Sequence, residues 1–127
     1  MSFEIHTEGS CTGESGNWSY RVDYRHGTSD ITTVHSDFGE AGGTTDVQMK
    51  LMAILKSLAF VRTIVSEESI IIRSDCPLCI RCITKEFDCT SDDAFNREKV
   101  TRGFVQYLQE IWWKMGGLNV KFEGTTG

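Results

Sequence analysis

The sequence predicts a mixed α/β (α+β) domain, a five-stranded sheet flanked by helices. Three observations carry that reading. The first third alternates apolar and polar residues in short runs joined by turn residues, which is the signature of an antiparallel meander. An amphipathic helical stretch follows. The remainder repeats strand and helix in alternation, which places parallel strands beside the meander. With 127 residues the chain reads as a single domain over 1–127, long enough to bury a core without staples.

"FEIHT" opens the chain as a strand, with Phe3 and Ile5 alternating against Glu4 and His6. "EGSCTGESGN" supplies turn residues. "WSYRVDYR" alternates cleanly, Trp18, Tyr20, Val22 and Tyr24 on one face against Ser19, Arg21, Asp23 and Arg25 on the other. After the turn "HGTSD", "ITTVHSDF" is a third and weaker strand. In "TTDVQMKLMAILKSLAFV" a helical stripe runs through Val47, Leu51, Ile54, Leu55, Leu58 and Val61. Thr45 as N-cap with Gln48 three residues on forms a capping box. "SIIIR" is apolar on both faces, as in a strand covered on both sides. Pro77 then begins a short helix where its missing N–H costs nothing. A long helix runs from about Glu98, with Val100, Phe104, Leu108, Ile111, Trp112 and Met115 as its stripe and Gly116-Gly117 as its stop. "LNVKFE" is the last strand. The order is β-β-β-α-β-α-α-β.

A net charge of −5 argues against a protein that grips nucleic acid through its overall field. No stretch reaches the roughly 20 apolar residues of a membrane span, and "MSFEIHTEGS" has no apolar secretory core. The expectation is therefore a cytoplasmic protein without a membrane partner. Five cysteines, an odd number, read as reduced thiols rather than a disulfide framework. Cys76, Cys79 and Cys82, with Cys89 seven residues on, have a spacing reminiscent of zinc or iron–sulfur ligation, but on a helix they share one side and read as packing. His6, His26 and His35 have no metal-ligand spacing; His6 shares a face with Glu8. Trp112 lies on the core stripe and Trp113 off it.

The chain resembles ribonuclease H of the type 1 family over nearly its whole length. "FEIHTEGSC" is similar to the family's first strand, Tyr-Thr-Asp-Gly-Ser-Cys, and "TTDVQMKLMAIL" to its helix start, Thr-Thr-Asn-Asn-Arg-Met-Glu-Leu-Met-Ala. "IIIRSD" resembles the strand end that carries an acid, and "NVKFE" the fifth strand. The resemblance implies a ribonuclease H-like fold. It also implies cleavage of the RNA strand of RNA–DNA hybrids by two magnesium ions, held by four carboxylates.

Position by position, the first acid falls on Glu8, the second on Lys50 and the third on Asp75. The fourth belongs to a helix beyond "NVKFE", and that helix is lacking in these 127 residues. Two acids and one base leave a net −1 where the family has four negative charges. The expectation is that Lys50 takes a cation's place between Glu8 and Asp75, so that no metal binds. If a metal binds after all, the ligands would be Glu8, Asp46 and Asp75, with magnesium or manganese. Gly9, Ser10 and Asp46 stand at substrate-contacting positions, although Asp46 and Val47 replace two asparagines. Asp46, one turn before Lys50, is expected to pair with it. The family's basic protrusion is here the acidic "EFDCTSDDAFNREK". The resulting expectation is a catalytically silent copy of the fold that acts as a binding or scaffolding module in a virus, phage or mobile element. It would take a protein partner, or a nucleic acid weakly; a divergent hybrid nuclease is the alternative.

Overall fold

A computed structural model of the chain describes residues 2–13, 15–26, 30–64, 69–85 and 102–124, with side chains of the last segment from residue 106 onward. Strands β1 (Ser2–Thr12), β2 (Ser15–Arg25) and β3 (Ile31–Gly42) are followed by helix α1 (Asp46–Val61) and strand β4 (Ser69–Ser74). Helices α2 (Pro77–Ile83) and α3 (Arg102–Met115) and strand β5 (Asn119–Gly124) complete the order. The sheet runs β3-β2-β1-β4-β5. β1 pairs antiparallel with β2 and parallel with β4, β2 pairs antiparallel with β3, and β4 parallel with β5. The element order, the five-stranded mixed sheet and the flanking helices are those the sequence predicts. Among the described residues no helix is long and apolar enough to cross a membrane.

The strands are longer than the alternation suggested. Residues 8–12, read as turn, continue β1, and β2 begins at Ser15. Gly9 shows why this stretch lacks side-chain bulk. A Cβ there would stand 2.4 Å from Lys50 N and Met49 C, so the strand backbone lies directly on α1. β3 likewise extends to Gly42, and Gly39 admits the Trp18 ring, whose atoms lie as near as 2.4 Å to where its Cβ would be.

α1 begins as read: Thr45 Oγ1 accepts from the Gln48 amide at 3.2 Å, while Thr44's hydroxyl donates to Gln48 Oε1 at 3.0 Å. Its buried face is wider than the stripe, because Met49, Ala53 and Ser57 are also buried. The helix packs on both the sheet and α3. In α3, Leu108 and Ile111 are buried, and Gly117, at φ +82°, turns the chain where a side chain would be strained. Val100, Phe104 and the acidic 86–96 stretch fall outside the residues whose side chains are described.

The core lies between the sheet and the helices. Phe3, Ile5, Tyr20, Val22, Ile70 and Ile72 meet Leu51, Ile54, Leu55 and Leu58 of α1. Strand alternation turns Glu4, His6 and Glu8 to the opposite face, where the register sets Arg21 beside His6 and Arg73 on its other side. Among the described residues that face carries polar and charged side chains. Ile71 of β4, expected to be covered like its neighbours, points there and is only half-buried.

Candidate functional site

The register Glu8↔Ser19↔Phe38 carries one row of side chains across β1, β2 and β3. The end of β4 brings Asp75 beside that row. Together they line an open cleft of about 370 Å³, with Glu8, Ser10, Asn17, Trp18, Phe38 and Asp75 on its walls. Gly9 contributes backbone to the same cleft. Phe38 is 80 % exposed at its rim. Phe38, Asn17 and Ser19 went unseen in the sequence, because their place beside Glu8 follows from register across three strands.

Lys50, on the second turn of α1, reaches the same end of the sheet. Its Nζ donates to both carboxylate oxygens of Asp75 at 2.9 Å. The pair is partly exposed. Burial alone would lower the Lys50 pKa, but the hydrogen bond and charge of Asp75 outweigh it and the pKa is raised. The ammonium is thus held charged. Glu8 is exposed and makes no ion pair among the described residues, so the expected three-membered cluster reduces to a pair.

Asp46 does not pair with Lys50 as its spacing suggested. Its Oδ1 accepts from the backbone N–H of Cys11, tying the end of β1 to the start of α1. A carboxylate at the first turn of a helix already has a favourable place, and the strand amide gives it a neutral partner there. The metal test follows. Among the described residues no three His, Cys, Asp or Glu side chains converge as ligands. Asp46 is committed to an amide, and both Asp75 oxygens accept from an ammonium. A hard divalent ion needs converging anionic oxygens, and these residues do not fit one.

Deeper on the same face, Glu4 is 3 % exposed and salt-bridged to Arg73 at 2.6 Å and Arg25 at 2.9 Å. Arg73 also reaches Glu123 at 3.5 Å. His6 lies 3.6 Å from Asp23, which takes hydrogen bonds from Arg21 and Thr33. Burial, and then the Arg21 charge, hold the His6 pKa below its ordinary value. His35 stacks on Phe60 and His26 meets Tyr24 edge-on, so these two serve as aromatic packing partners.

Beyond Asp75 the chain enters α2, capped by Cys76, whose Sγ accepts from the Cys79 amide at 3.3 Å. Cys76 and Cys79 are buried free thiols. Cys82 departs from the reduced-thiol expectation: it is disulfide-bonded, and its partner lies outside the described residues. Trp112 is half-buried and donates Nε1–H to the Ile83 carbonyl at 2.9 Å. Trp113 is 73 % exposed, with the cations of Arg62 and Lys114 at 5.5 and 5.6 Å from its ring.

No family model matches the sequence, and no curated protein matches it. Solved structures do match in fold. LC11-RNase H1, solved in complex with an RNA/DNA hybrid, aligns over 97 % of this chain and 84 % of its own at TM-score 0.77 and 14 % identity. The N-terminal RNase H domain of rv2228c from Mycobacterium tuberculosis aligns over 98 % and 81 %, at TM-score 0.77 and 10 % identity. The RNase H domain of prototype foamy virus aligns over 99 % and 78 %, at TM-score 0.69 and 10 % identity. The chain therefore has the ribonuclease H fold.

Proposed function

We propose that this chain is a catalytically silent protein of the ribonuclease H fold, acting as a binding or scaffolding module for a protein partner. The observation that carries the reading is the Lys50 ammonium, 2.9 Å from both Asp75 oxygens. Two-metal hydrolysis requires carboxylates whose lone pairs are free to bind cations. Here the position that the resemblance assigns to a second acid carries a base, and that base occupies the third. The ion pair supplies internally the charge neutralisation that a metal would otherwise bring. Nucleic acid is a weak secondary ligand of such a module, since the chain carries −5 overall and phosphate contacts depend on local cations.

The test uses a labelled RNA–DNA hybrid with the intact chain in magnesium and in manganese, beside Asp75→Asn. The expected result is no cleavage above that of the Asp75→Asn variant. Metal-dependent cleavage that disappears on Asp75→Asn overturns the reading. It would establish the second one, a divergent magnesium- or manganese-dependent nuclease acting on hybrids. That alternative is favoured by one feature, the open cleft that Glu8, Ser10 and Asp75 share. A parallel gel-shift on the same hybrid is expected to show binding that falls steeply with salt.

A further inference from the structure

We propose that Cys76 and Cys79 form a redox-active dithiol, a second chemical site on the chain whose oxidant is a low-molecular-weight disulfide. The pair stands in the sequence "CPLC", at the junction of Asp75 and α2. Two thiols three residues apart at a helix start face each other by construction. Here they do so in fact. The Cys76 sulfur accepts from the Cys79 amide at 3.3 Å, which puts the two residues in direct contact across the first turn.

The two thiols are not equivalent. Cys76 keeps 6 % exposure between the exposed Asp75 and Pro77, whereas Cys79 is fully buried. Contact with Cys79 outweighs the effect of burial on the Cys76 thiol and lowers its pKa to about 7, with the Lys50 charge adding to the effect and that of Asp75 opposing it. The same contact holds Cys79 in its protonated form, with its pKa raised. One sulfur is thus placed to attack and the other to resolve. A further observation bears on the same helix: Cys82, one turn on, is already disulfide-bonded. Packing alone does not need the two cysteines to differ in access.

With glutathione disulfide as oxidant, the Cys76 thiolate attacks one glutathione sulfur, the S–S bond breaks, and a glutathione thiolate leaves. Cys79 then loses its proton and attacks the Cys76 sulfur of the mixed disulfide, expelling the second glutathione. The protein gives up two electrons and two protons, and the oxidant is reduced to two thiols.

The readout is built into the sequence. Trypsin cuts after Arg73 and Arg81, so the peptide from Ser74 to Arg81 contains Cys76 and Cys79 and leaves Cys82 outside. The folded protein is equilibrated with excess glutathione disulfide, acid-quenched, alkylated under denaturing, non-reducing conditions and digested. From untreated protein the peptide is expected with two alkyl groups. From treated protein it is expected with none, and lighter by the two lost hydrogens. A peptide that stays doubly alkylated, while the circular dichroism remains native, overturns the proposal. Cys79→Ser is expected to trap glutathione on Cys76, and Cys76→Ser to take none. An adduct on Cys79 in the latter, or none in the former, overturns the assigned roles.

Discussion

Glu4 illustrates what a single residue gains from its neighbours on the polar face of the sheet. Its alternation with Phe3 and Ile5 reads as a solvent-facing strand position, yet it is almost wholly buried. Arg25 and Arg73 reach it from the strands on either side and cover it with their stems. Burial pushes its carboxyl up, and the hydrogen bonds from Arg73 and Arg25 outweigh that, so the pKa is lowered below 4.5. A folded pKa below the unfolded one adds stability that is present above about pH 4.5. That stability is lost as the pH falls through the folded value. Glu4→Gln is expected to cost about 2 kcal/mol at pH 7, measured by urea unfolding. The difference from the parent should shrink through the acid range. An undiminished difference at low pH would locate the acid sensitivity elsewhere.

At the scale of elements, the close approach of β1 to α1 sets the geometry of the cleft. Gly9 lets the strand backbone rest on the helix at Met49 and Lys50, and the Asp46 carboxylate ties the Cys11 amide to the helix start. Gly9→Ala places a methyl group inside backbone atoms that have no rotamer with which to yield. The expected loss is about 2–3 kcal/mol, read as a lower urea midpoint at unchanged slope. The variant should also disturb the Lys50–Asp75 pair, because Lys50 sits at the contact. Unchanged stability would mean that α1 can move away from the sheet. The cap, the stripe and the terminating glycine pair of these helices were legible because they are local chemistry. The true length of β1 was not, since it depends on what α1 allows the strand to do.

For the whole molecule, the strand order places β1 at the centre, paired on both edges, and makes β3 and β5 the outermost strands among the described residues. β3 is twelve residues long, and Ile31, Val34 and Phe38 along it are exposed. Amide hydrogen exchange is expected to be slowest at Ile5 and Ile72, whose strands are paired on both sides over a buried core. The outward amides of β3 should exchange fastest. Protection of β3 equal to that of β1 would mean that something covers its edge in solution.

The sequence by itself determined the element order, the mixed sheet and the main helical faces, and through a resemblance it singled out Glu8, Lys50 and Asp75 as candidates. Each of these is written in local periodicity, in capping residues, or in a resemblance carried by short motifs. Tertiary structure alone decided how those residues combine. Lys50 and Asp75 are twenty-five positions apart, and only the packing of α1 beside the end of β4 makes them an ion pair that leaves Glu8 out. Asp46 takes a strand amide instead of the lysine one turn away, because the fold brings Cys11 to it. Phe38 reaches the cleft through register over three strands, and Glu4 is buried by arginines from two others. Long-range distances of this kind are set by how elements dock, which no spacing along the chain encodes.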